Sequence, residues 1–219
     1  MNSVSTATQP PRTATARLAL LACLGVVVYV LIDVLLAVLR PDLSLLHRAE
    51  SDYGVGPYAW LMDVNFLLRG ALSLLLAGAL LSVRGQSGWL RGGAALLAAW
   101  GIGSGLLAFF PDNPPGTPAT TSGQIHLILA LVAFLCVAVG TIVLSGAVRH
   151  LAVLRGISAP LLVIALVALV PLLLLGHTQL RANSLDGLYE RAFLGLELLW
   201  ILLLGARLAQ GARADPRPA

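Results

Sequence analysis

The chain has 219 residues, of which 58% are hydrophobic and 11% charged, with a net charge of +4 and a mean hydropathy of +0.89. Soluble domains carry about 25% charged residues, so the composition excludes one and points to several membrane crossings. The apolar runs are continuous and rich in Leu, Ala and Val rather than alternating, which excludes a β-barrel and leaves helices that pair their own backbone groups in lipid.

Residues 1–16 are polar, Thr-rich and Pro-containing, and are expected to be a disordered tail. The first span covers about 18–39 and carries Asp33 six residues from its end. "LLAC" ends at Cys23, but its apolar lead is too short for a cleaved signal, which needs about 7–15 apolar residues. Cys23 and Cys136 both fall in apolar runs and read as structural thiols. Loop 40–58 holds "HRAESDYGVGPYAW", with His47, Glu50, Ser51, Asp52 and Tyr53 ahead of a Gly/Pro turn. Span two, about 59–83, carries Asp63, Asn65 and Arg69 in its first half.

Span three, about 90–110, contains "GIGSG", in which Gly101 and Gly105 form a GxxxG suited to close packing inside the bundle. Loop 111–124 is rich in Pro and Gly, carries Asp112, and leads into span four, about 125–147, which opens with His126. Span five, about 158–177, is interrupted by Pro160 and Pro171 and closes with His177. Span six, about 188–209, admits Glu190, Arg191 and Glu197. The expected fold is therefore all-α, a polytopic bundle of six transmembrane helices in one domain over 17–210, followed by a disordered tail over 211–219.

Every basic residue is Arg, the mark of a GC-rich bacterial genome, so a bacterial cytoplasmic (inner) membrane is expected. Nine arginines lie on the side of the termini and four on the other, with Arg69 inside span two. By the positive-inside rule both termini face the cytoplasm, and loops 40–58, 111–124 and 178–187 face outside. The positive charge is scattered, which excludes a nucleic-acid surface.

The ionisable residues within spans all cluster toward the outer side. Intramembrane charges face the bundle interior and find partners, and the spacing agrees. Glu190 and Glu197 are two turns apart on one face, and Asn65 and Arg69 one turn apart on another. Arg69 is expected to pair with Glu197, and Arg191 to serve Asp33 or Asp63. Asp33, Asp63, Asn65, Arg69, His126, His177, Glu190, Arg191 and Glu197 form the expected ligand-binding set, with Ser51, Asp52 and Tyr53 above it in the loop. Buried acid without a counter-charge suits a general acid, which makes Glu190, Glu197 and the pair His126 and Asp112 the candidate catalytic groups. There is no HxxxH or HExxH, so no metal and no cofactor is expected.

The order "SDYGVGPYAWLMDVNFLLRG", "FFPDNPPG…GQIHLILALVAF", "GLYERAFLGLELLW" resembles the domain of unknown function 998 family of prokaryotic membrane proteins, from about residue 18 to 209. The resemblance rests on Ser51 to Gly54, Phe110 to Asp112, His126, and Gly187 with Glu190 and Arg191. It implies six or so spans and a polar outer pocket, and supplies no activity. A looser likeness to DRAM-like membrane proteins favours a lipid-related role. Three readings follow: a protein binding a lipid headgroup or small polar ligand, an intramembrane enzyme acting on a lipid or isoprenoid, and a structural or regulatory subunit whose charges only order helices. Membrane lipids are the expected partners.

Overall fold

A computed structural model describes residues 12–83, 86–114, 116–151, 154–178 and 184–214. Six helices, α1 (Arg12–Leu39), α2 (Ala59–Leu81), α3 (Gly88–Leu107), α4 (Thr121–Val148), α5 (Ser158–Thr178) and α6 (Asp186–Ala214), account for nearly all of it. There is no strand among the described residues, and all six helices are long and apolar enough to cross a membrane. The protein is an all-α, multi-pass membrane protein.

Each helix packs on the next in sequence, and α6 returns to α1, so the six form a closed ring. The seam between α4 and α5 is the loosest of the six, and α5 is the least covered helix. Leu and Val side chains such as Leu31, Val38, Leu127, Leu131 and Leu173 are exposed around the outside, as lipid contact requires. Trp100, Trp200, Phe193 and many Leu and Ala residues fill the interior. A smaller core of Leu36, Tyr53, Met62, Phe66 and Leu107 lies at the end of the bundle that bears loop 40–58.

Small residues set the tightest contacts. A Cβ on Gly70 of α2 would lie 2.8 Å from the Gly101 carbonyl and 3.3 Å from Gly105 Cα, so the GxxxG of α3 is the seat of α2. On the other flank of α3, a Cβ on Gly93 would lie 2.6 Å from Leu144 of α4.

Boundaries differ from the sequence reading where local chemistry intervenes. The helix α1 begins at Arg12, inside the stretch expected to be disordered, because Thr-Ala-Thr-Ala-Arg offers nothing that stops a helix; residues 1–11 lie outside the described residues. Thr120 caps α4 by accepting the Gly123 N–H (3.0 Å), so this helix starts four residues before the expected 125. At the other end α6 runs to Ala214, past the expected 209, and 215–219 lie outside the described residues. Of the arginines used for orientation, Arg84, Arg181 and Arg217 also lie outside them. Pro171 sits within α5, which continues through it.

Candidate functional site

Loop 40–58 is folded down onto the bundle rather than standing off it. The Arg40 guanidinium closes its two ends, donating to the Asp42 carboxylate (2.8 Å) and to the carbonyls of Val55 (2.9 Å) and Pro57 (3.2 Å). That guanidinium holds the Asp42 carboxyl below the usual aspartate value. In the middle of the loop, Glu50–Gly54 forms a 3-10 helix whose Glu50 and Tyr53 side chains are buried.

The start of α6 grips this loop. Leu188 N–H donates to the Leu46 carbonyl (3.1 Å), and Arg191 Nη1 donates to the carbonyls of Arg48 (2.7 Å) and Leu45 (3.1 Å). Gly187 is required here, since a Cβ would lie 2.2 Å from the Arg48 carbonyl oxygen. Glu190 Oε2 accepts the Glu50 backbone N–H at 2.9 Å. The Arg191 guanidinium also stacks over the Tyr53 ring, 5.4 Å from its centroid. The charges at the head of α6 are therefore first of all a clasp for loop 45–53.

The clasp delivers Glu50 to the interior. Tyr29 of α1 donates to the Glu50 carboxylate and accepts from Arg69 Nη1 (3.0 Å), while Arg69 Nε donates to Ser104 of α3 (3.1 Å). Arg69 is 2% exposed and lies 5.3 Å from the Phe66 centroid. Its Nη2 makes no hydrogen bond among the described residues. Asp33 lies within electrostatic reach of the like-charged Glu50 and of Arg191, and among the described residues forms no ion pair with Arg191.

Beside this network is a cavity of about 290 Å³ between α4, α5, the head of α6 and the two folded loops. Arg69 lines it from α2, His126 from α4, Asp186 and Glu190 from the head of α6, and Arg48, Ser51, Asp52 and Asp112 from the loops. The remaining wall is apolar and includes Leu127, Leu131, Phe134 and Leu172. His126 is 3% exposed; its Nδ1 lies 2.7 Å from the Phe110 carbonyl, so that nitrogen carries the proton. Its Nε2 faces no hydrogen-bond partner among the described residues. Arg48 and Asp52 pair at 2.9 Å, yet burial, outweighing the guanidinium, pushes the Asp52 carboxyl up, with nearby Asp112 adding to the effect.

Several expected residues lie elsewhere. Glu197 does not meet Arg69: Tyr29 and Ser104 occupy that guanidinium, and Glu197 lies a turn below Phe193, beside Thr141 of α4. The edge-to-face pair of Phe134 and Phe193 (5.1 Å) lies between its level and the cavity. Neither Glu197 oxygen has a hydrogen-bond partner among the described residues, since the Thr141 hydroxyl donates to the Val137 carbonyl (2.9 Å). Arg191 serves loop carbonyls, so it pairs with neither Asp33 nor Asp63. Asp63 is half-buried and away from the cavity, His177 is exposed in the last turn of α5, and Asn65 is sealed with its amide unpartnered among the described residues. Tyr53 turns away from the cavity toward Arg191. Sequence reasoning passed over Tyr29, Arg48 and Ser104; Tyr29 precedes Asp33 by one helical turn and so shares its face.

The segments that build this arrangement are also those that carry the likeness noted above. The match to the family described as "Protein of unknown function (DUF998)" runs over residues 23–207. The chain belongs to the DUF998 family. No match was found among curated proteins or solved structures. Within this DUF998 protein, Gly187, Glu190 and Arg191 hold the loop containing Ser51 to Gly54, and His126 holds the carbonyl of Phe110. The short motifs thus contact one another at one end of the bundle.

Proposed function

We propose that this protein binds an amphiphile, taking its polar head into the cavity from the lipid phase. One observation carries this reading. Leu127 and Leu131 line the cavity and are also 59% and 57% exposed on the outside of the bundle, beside the loose α4–α5 seam. A cavity of about 290 Å³ is at the small end of ligand sites. It suits a headgroup and the first carbons, with the chains left in lipid. Arg69 supplies a buried cation with a donor to spare, and a guanidinium fits a phosphate or carboxylate well. In this reading the end of the bundle that bears the cavity faces outward across a bacterial cytoplasmic membrane, which the arginine count supports. A cysteine introduced at Thr117 then reacts with an impermeant maleimide on intact cells; reaction only after lysis would overturn that orientation.

The second reading, an intramembrane enzyme, is favoured by His126, whose bare Nε2 is placed as a general base on the cavity wall. Both readings need an occupied cavity. The test is native mass spectrometry with lipid identification on purified protein, comparing wild type with Ala130→Trp, which fills the cavity from its apolar wall, and Arg69→Ala. A lipid retained by wild type and lost from a folded Ala130→Trp supports the reading. Equal retention, or none by wild type, would leave the charges a purely helix-ordering role.

A further inference from the structure

Resting on that reading, we propose that the headgroup is zwitterionic, with a phosphate at Arg69 and a primary ammonium at His126 and Asp112.

The cavity is divided chemically. Arg69 Nη2 is a donor with no partner among the described residues, while His126, Asp112 and Asp52, the last already paired with Arg48, bring acceptors from α4 and the loops. In the neutral ring His126 Nε2 is the lone-pair nitrogen, because Nδ1 donates to the Phe110 carbonyl. Two residues beyond Phe110, Asp112 lines the same cavity and accepts only the Asn113 N–H (2.7 Å); no cation pairs with it among the described residues. Asp52 from the other loop adds a third acceptor close to Asp112. A buried acceptor left without a donor is costly, and an ammonium brings three donors and a positive charge.

Charge complementarity points the same way. Asp52, Asp112, Asp186 and Glu190 line the cavity against Arg48 and Arg69, Arg48 is already paired with Asp52, and no cation pairs with Asp112 among the described residues. A purely anionic head would satisfy Arg69 and meet Asp112, and like-charge contact is strongly disfavoured. A trimethylated amine would offer no N–H to His126. The two poles share a neighbour: the Arg69 guanidinium and the His126 ring both lie against the Phe66 ring, at 5.3 and 5.9 Å from its centroid.

The experiment titrates detergent-purified protein with short-chain phosphatidylethanolamine, phosphatidylcholine and phosphatidylglycerol, reading the shift in Tm. The ethanolamine lipid is expected to bind about tenfold more tightly than the other two, the scale of one charge-assisted hydrogen bond. Asp112→Asn, a loop substitution that spares the helices, is expected to erase that preference over phosphatidylglycerol. Equal or stronger binding of phosphatidylglycerol or phosphatidylcholine by wild type, or selectivity unchanged in Asp112→Asn, would overturn the zwitterion. If those lipids still fail to bind Ala130→Trp, the amphiphile reading survives that result. No response of wild type to any of the three would remove both.

Discussion

Glu190 accepts the backbone N–H of Glu50 at 2.9 Å, joining the head of the last helix to the first loop across 140 positions of sequence. The acceptor is a side chain and the donor is main chain. The acceptor can therefore be removed by any apolar side chain, whereas only proline would remove the donor. Glu190→Ala leaves that buried N–H without a partner, a loss of about 1–3 kcal/mol. Hydrogen exchange over 45–54 is expected to accelerate in this variant while the helices stay protected. Glu190→Gln retains an acceptor oxygen and is expected to keep the loop in place. Unchanged exchange in Glu190→Ala would show that Arg191 and Gly187 suffice.

The contact of Gly70 with Gly101 and Gly105 supplies its own control. Gly70→Ala drives a methyl to within 2.8 Å of the Gly101 carbonyl, so the backbones must separate. The expected loss is about 1–3 kcal/mol, the usual cost of overpacking. Gly105→Ala places its own Cβ where nothing lies within 4 Å and is expected to be near neutral. Thermal unfolding of the two variants side by side checks the asymmetry; equal effects would contradict it.

Glu197 stands below the aromatic pair and does not line the cavity. Glu197→Gln is therefore expected to fold and to retain lipid as wild type does. Glu197→Leu removes a carboxyl that has no partner among the described residues, and is expected to raise Tm. Loss of lipid from a folded Glu197→Gln would bring this residue into the ligand site.

Asp52 gives a pH dependence whose sign can be worked out. Its folded-state carboxyl holds a proton more tightly than the usual 3.8 of an aspartate, chiefly through burial. The folded form then binds more protons than the unfolded one in the window just above that value, so stability falls as pH rises through it. Below the window both forms are protonated, and above it neither is. Asp52→Asn lacks this dependence. Across pH 4 to 7, the Tm of wild type relative to Asp52→Asn is expected to drop as pH rises and then level off. A gap that moves the other way would mean the Arg48 ion pair dominates.

Much of the architecture was legible because hydropathy alone decides which segments enter lipid. The six spans, the GxxxG packing and the clustering of charge at one end all follow from that. Pairing was less legible. Most of these helices are apolar all round, so their sequences carry little that fixes rotation about the axis. Depth alone favoured Arg69 with Glu197; rotation gave Arg69 to Tyr29 and Ser104 instead. Glu50 was visible as a loop residue, but its descent into the interior depends on the grip of Arg191 on carbonyls 143 and 146 positions away. No spacing rule within one segment reports such a contact.

The ring is uneven in stiffness. Where α2, α3 and α4 meet, glycines let the backbones touch, and three helices become one slab. On the opposite side α5 holds α4 loosely, and Pro171 deprives it of a backbone hydrogen bond one residue before Leu172 meets the cavity. Opening the cavity sideways then requires no rearrangement of the slab. The helix α5 is thus held chiefly along α6, and its Pro171 adjoins the cavity wall.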